Sequence, residues 1–127
     1  MRKIADTNIL VRYLTGDDEK NKTKAAEIIK NGVEVIPETI PEVLYVLTSK
    51  ILYAIPRPAA TVAVLALLDD ISVEKKEKIK QALNIYRETK LDYVDCLLIA
   101  EGLSSNTEII SFDRKLLNEM KRRAQTS

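Results

Sequence analysis

The sequence predicts a single α/β domain, a mostly parallel sheet covered by helices on both faces. Three observations predict it. The chain has 127 residues, a length that suits one domain. Short extended runs alternate with helical ones, usually two helices between strands, the pattern of parallel crossovers. Only three Gly and four Pro punctuate it, so loops are short, and neither a linker nor a repeat period is visible. With 46% apolar and 31% charged residues the composition is globular, which excludes a disordered chain.

Residues 3–6 open with a short extended run. Ile9, Leu10, Tyr13 and Leu14 then recur at helical spacing over 8–14, stopped by Gly16. Residues 18–30 read as a second helix with Ala25, Ala26, Ile28 and Ile29 inward, ended by Asn31-Gly32 in a left-handed stop. A strand follows over 33–36. Pro41 suits the first turn of a helix carrying Val43, Leu44, Val46, Leu47, Ile51 and Leu52. Pro56 and Pro58 end it and begin another over 59–68. Residues 71–74 give a third, weaker strand. An amphipathic helix spans 75–90 with Ile79, Leu83 and Tyr86 inward, and a short one runs from Tyr93 to Leu103. A fourth strand is expected over 108–111 and a closing helix over 114–123.

Several chemistries are excluded at once. The chain has no His, no Trp and a single Cys. A Ser-His-Asp triad, a Cys-His dyad, an internal disulfide and a Cys/His zinc site are therefore impossible within it. Twenty Lys+Arg against 19 Asp+Glu leave a net charge of +1, so any nucleic-acid contact must be local. No signal-like apolar run follows the N-terminus, and the most apolar stretch, 59–68, falls far short of a membrane span. One free Cys suits a reducing interior, and the expected location is cytoplasmic, without membrane association.

Catalysis must then rest on carboxylates, amides, hydroxyls, Lys and Arg. In an open parallel sheet ligands bind outside the carboxyl ends of the strands. Asp6 follows the first strand directly and Asp113 lies just past the fourth. Glu42 is in the first turn after the second strand, and Asp95 is near the start of the helix after the long charged one. Each has an ordinary alternative: Asp6, Asp92 and Asp113 as helix N-caps, and Thr39-x-x-Glu42 as a capping box. Helical spacing sets Glu42 with Tyr45 and Val46, and Asp95 with Leu98 and Ile99, so both carboxylates are expected to face the packed side. Such groups need neutralisation, a hydrogen bond or a metal. Two carboxylates 6 Å apart repel by roughly 3 kcal/mol at an effective dielectric of 20. A cluster of four would rival the roughly 5–15 kcal/mol that holds a domain together. All-oxygen ligation suits Mg²⁺ or Mn²⁺.

Four segments carry a resemblance. Ile4-Ala5-Asp6-Thr7-Asn8-Ile9-Leu10, Ile40-Pro41-Glu42-Val43-Leu44-Tyr45-Val46-Leu47, Asp95-Cys96-Leu97-Leu98-Ile99-Ala100 and Ile110-Ser111-Phe112-Asp113-Arg114-Lys115-Leu116 resemble the PIN-domain nucleases, especially the VapC-type toxin ribonucleases. The likeness covers essentially the whole chain, 1–127, and is specific as a set. It implies a three-layer αβα sandwich with a central, mostly parallel sheet of four to five short strands. It further implies a metal-dependent endoribonuclease that uses one or two Mg²⁺ or Mn²⁺ ions. Position by position, Asp6, Glu42, Asp95 and Asp113 become the catalytic, metal-holding quartet. Thr7, Asn8 and Ser111 become neighbours that orient carboxylates or phosphate. The same resemblance implies a homodimer and a small antitoxin whose C-terminal segment blocks the pocket.

Beyond the quartet the residues say less. Arg114 and Lys115 flank Asp113 and either grip RNA or lie on a solvated helix face; Arg12 and Arg57 read more simply as solvated. The nearly all-apolar helix 59–68 is either fully buried or, with its neighbour 43–53, a subunit interface. Hydrolysis by an activated water would leave 5′-phosphate and 3′-hydroxyl ends. A phospho-acceptor signalling module is the competing class. It lacks the second Asp beside Asp6 and an acceptor Asp after 71–74, and Asn8 stands where an Asp-x-Asp phosphatase needs its second Asp. A catalytically silent PIN scaffold and a housekeeping RNA-processing role are the remaining alternatives.

Overall fold

A computed structural model of the chain describes residues 1–104 and 106–126. These fall into two compact units, Met1–Lys76 and Glu77–Ser127. In the first unit, strand β1 (Glu34–Val35) pairs in parallel with β2 (Ser72–Val73), Glu34 opposite Ser72 and Val35 opposite Val73. Ile4 adds a parallel bridge to Glu34. It is closed by Ala5 N–H to the Glu34 carbonyl at 2.9 Å and Glu34 N–H to the Lys3 carbonyl at 2.7 Å. The same unit carries helices α1 (Thr7–Thr15), α2 (Glu19–Lys30), α3 (Thr39–Thr48) and α4 (Arg57–Leu68). α1 packs on α2 and α3, and α3 on α4.

The helix boundaries follow local chemistry. α1 ends at Gly16, whose φ of 61° is left-handed and whose N–H reaches the Arg12 carbonyl. That left-handed conformation is what favours glycine there, since the Lys22 side chain that a Cβ would meet is free to move aside. α2 starts at its Asp18 cap, as the sequence predicts. Its stop divides the work: Asn31 stays right-handed while Gly32 takes φ 93°. The helix expected to run to Leu52 stops at Thr48, where the Thr48 hydroxyl bonds back to the Leu44 carbonyl and Ser49 turns extended. The core of this unit is an apolar stripe of Ile40, Val43, Leu44 and Leu47 on α3, with Val64, Leu67 and Leu68 on α4 and Leu10 on α1. α4 is not buried all round, since Val62 is 52% exposed.

The second unit carries α5 (Lys76–Glu88), α6 (Tyr93–Gly102) and α7 (Arg114–Thr126), with α6 packed on α7. Gly102 permits that approach, because a Cβ there would run into Met120 Sδ and Ile109 Cγ1. Tyr86 and Tyr93 meet edge to face, centroids 6.4 Å apart. Arg123 ties α5 to α7, bonding Glu88 at 2.6 Å and Glu119 at 2.8 Å.

The architecture is mostly helical α/β, consistent with an αβα fold. The expected sheet of four to five strands is not formed among the described residues: two parallel strands and one bridging residue stand in its place. Residues 108–111 are not a strand, and Ile110 is 84% exposed. A strand exists through its ladder, and among the described residues no strand pairs with that segment.

Candidate active site

The segment that bridges to β1 through Ile4 ends at Asp6, and the chain turns there into α1. The Asp6 carboxylate caps that helix, its Oδ1 accepting from Ile9 N–H at 3.1 Å. Thr7, the first residue of α1, donates from Oγ1 to Glu42 Oε2 at 2.6 Å. These three residues line one cavity of about 260 Å³ with Glu38 and Thr39, at the carboxyl ends of the bridging segment and β1. The arrangement is the strand-end crevice that parallel topology favours.

Two expectations for Glu42 are corrected. The capping box with Thr39 does not form: the N-cap of α3 is Glu38, with no side-chain cap bond, and Glu42 turns to Thr7 instead. Glu42 is also exposed rather than on the packed side. The buried stripe of α3 runs through residues 40, 43, 44 and 47, so Glu42 and the 66%-exposed Tyr45 lie off it. Glu38, a third acid in the same cavity, went unread in the sequence. Its signal was position: it stands in the turn where β1 gives way to α3.

In the second unit Asp95 lies half-buried on the first turn of α6. Burial raises its pKa, and the negative charges of Asp113 and then Asp92 push it further the same way. Asp92 provides the N-cap position of α6 without a side-chain cap bond. Asp113 does cap α7, Oδ1 accepting from Lys115 N–H at 3.0 Å and Leu116 N–H at 3.2 Å. Ser111 Oγ accepts from Asp113 N–H at 2.9 Å and fixes the turn before it. Arg114 and Lys115 are exposed, and among the described residues neither pairs with Asp113. Asn8 does not line the cavity of Asp6 and Glu42; it lines a separate groove between α1 and α2.

Each unit therefore holds two of the four expected acids: Asp6 with Glu42, and Asp95 with Asp113. Among the described residues no three acidic or sulfur side chains stand close enough to share one metal ion. The donor chemistry nonetheless fits a hard cation. Every candidate ligand is a carboxylate or hydroxyl oxygen, and Asp95 is in an environment that disfavours its charged form until a cation arrives.

A parallel α/β ladder with carboxylates and hydroxyls at its strand ends defines a class of acidic, hard-cation site. The chain belongs to the PIN domain family, whose model matches residues 3–122. Neither a curated protein nor a solved structure matches it. PIN domains are generally metal-dependent nucleases that typically use Mg²⁺ or Mn²⁺. No helix among the described residues is long and apolar enough to cross a membrane.

Proposed function

We propose that the protein is a metal-dependent endoribonuclease acting as the toxin of a toxin–antitoxin pair, in the manner of the VapC-type enzymes. Its working acids are Asp6 and Glu42 in the first unit and Asp95 and Asp113 in the second. Residues 1–127 form one PIN-like domain, a reading supported by a single family model that runs through both units. The observation that carries the proposal is the Thr7–Glu42 hydrogen bond, which holds the Glu42 carboxylate in the cavity of Asp6.

What a bound Mg²⁺ or Mn²⁺ would supply is Lewis acidity toward the phosphate and a water of lowered pKa. The chain's own residues do the rest. Ile9 N–H holds Asp6 Oδ1 and so orients the other oxygen. Thr7 holds one oxygen of Glu42 and leaves the second for ligation. Burial and the charges of Asp113 and Asp92 make Asp95 hold a proton more readily than an ordinary aspartate does. Ser111 sets the turn that presents Asp113.

The proposal extends to partners. The exposed apolar residues Tyr45, Ile51, Leu52 and Val62, on α3, the turn after it and α4, support a homodimer through that face. A small cytoplasmic antitoxin would cover the acidic pocket. The test is incubation of the purified chain with single-stranded RNA. Cleavage with Mg²⁺ or Mn²⁺, abolished by EDTA and leaving 5′-phosphate ends, is the expected result. A 2′,3′-cyclic phosphate, or cleavage indifferent to chelator, would refute the proposal.

A further inference from the structure

The groove between α1 and α2 encloses about 270 Å³ and differs in kind from the acidic pocket. Arg12 and Lys24 line it with Asn8 and Asn21, the Asn21 amide donating to Asp18 at 2.8 Å; no carboxylate is among the lining residues, and Ile9, Ala25 and Ile28 supply its apolar part. Among the described residues neither cation is held in a strong ion pair. Lys24 has no ion-pair partner among the described residues. Arg12 reaches Asp17 only at 3.4 Å, with both side chains more than a third exposed, a pair worth little. Asp17 does not depend on it, because Tyr53 donates to one of its oxygens at 2.7 Å and Thr15 to the other at 3.1 Å. The groove also adjoins the candidate site by construction. Consecutive residues of α1 line the two cavities, Thr7 the acidic one and Asn8 this one. From Thr7 to Arg12 is about 7 Å along the helix axis.

We propose that the α1–α2 groove is a subsite for the single-stranded RNA next to the bond being cut. Arg12 and Lys24 hold its backbone phosphate, the apolar part takes a base, and Asn8 offers its amide to a base edge or ribose hydroxyl. The proposal rests on the nuclease reading above and adds the place where substrate is gripped. Phosphate binding by local cations needs no basic surface overall, which reconciles an RNA substrate with a net charge of +1. Arg12 is then a substrate-binding residue rather than one more solvated cation on a helix face.

The test is fluorescence anisotropy of a labelled 20-nucleotide single-stranded RNA of mixed sequence with the full chain in EDTA, over a range of salt. Arg12→Gln and Lys24→Gln are each expected to weaken binding several-fold and, together, by about tenfold or more. The slope of log affinity against log salt should fall by about 0.7 for each lost contact. Arg12→Lys should recover part of the loss, and Lys30→Gln, elsewhere on α2, should bind as the parent does. Melting temperatures of all variants check folding. Unchanged affinity and slope in the double variant overturn the subsite and leave the nuclease reading standing, since cleavage by the parent is read separately. Failure of the parent to bind RNA overturns the subsite as well. So does loss of binding to a labelled acidic peptide in the same variants without loss of RNA, which would make the groove a peptide site. Parent protein that binds RNA but never cleaves it with Mg²⁺ or Mn²⁺ removes the nuclease reading instead.

Discussion

Thr7 and Glu42, 35 residues apart, are joined by a hydrogen bond of 2.6 Å from the first turn of α1 to the first turn of α3. Thr7→Val removes the donor at nearly constant shape. Because the bond is solvent-accessible, the loss of stability should stay below about 1 kcal/mol. A freed Glu42 side chain should cut single-turnover RNA cleavage by about tenfold or more, the scale expected when a ligand's orienting partner is lost. Thr7→Ser should keep most of the activity. Equal rates for Thr7→Val and the parent would show that Glu42 needs no such support.

Asp95 gives a test in the absence of metal. Its pKa is raised by burial and by the charges of Asp113 and Asp92, so the folded state binds a proton more readily than the unfolded one. Stability from this source is greatest at low pH and declines as pH rises from the ordinary aspartate range through the raised folded value. Asp95→Asn should therefore melt higher than the parent at pH 7 in EDTA. The advantage should shrink as pH falls and Asp95 becomes protonated. A lower melting temperature for Asp95→Asn at pH 7 would mean that the charge is paired after all.

Glu119 has the opposite sign. Hydrogen bonds and charge from Arg122, then Arg123, hold its carboxyl below the usual range, against the opposing effect of burial. Its contribution is present above the unfolded pKa and lost as pH falls through the folded one. Glu119→Gln should cost about 1 kcal/mol at pH 7, as partly exposed pairs do. In urea titrations the gap between variant and parent should close as pH falls from the ordinary glutamate range through that lowered folded value.

Val62 tests the homodimer. It is half-exposed on α4, beside an α3 that already presents Tyr45. Val62→Glu sets a charge on that face without touching the buried stripe, so it should yield a folded monomer by light scattering at micromolar concentration. A parent that is itself monomeric there would remove the dimer.

The sequence made the helices legible because each has a chemical start and stop. Asp18 begins α2, Gly16 ends α1, and Pro58 lies in the first turn of α4, as the pattern indicates. Strands were less legible. Residues 108–111 have strand composition, but pairing is a property of the partner, which no local window contains. Among site residues, Asp6 and Asp113 are caps and candidate ligands at once, so the two readings were never exclusive. Glu42 was misjudged because the face of α3 that counts is fixed by what it packs on, not by the hydrophobicity of the nearest i+3 neighbour. Glu38 was missed because a turn residue carries no periodic signal. Asp92 does stand at the N-cap position of α6, though without a side-chain cap bond, and it adds a charge that raises the Asp95 pKa.

Asp6 offers the most direct measurement of the central claim, that these carboxylates hold a divalent cation. Asn caps a helix as well as Asp does, so Asp6→Asn keeps the bond from Ile9 N–H and deletes only the charge. Calorimetric titration of Mn²⁺ into the metal-free parent should show saturable binding. Binding should be at least about tenfold weaker in Asp6→Asn, whose RNA cleavage should vanish while its melting temperature holds or rises. Mn²⁺ binding of equal strength in parent and variant, or none in either, would contradict it.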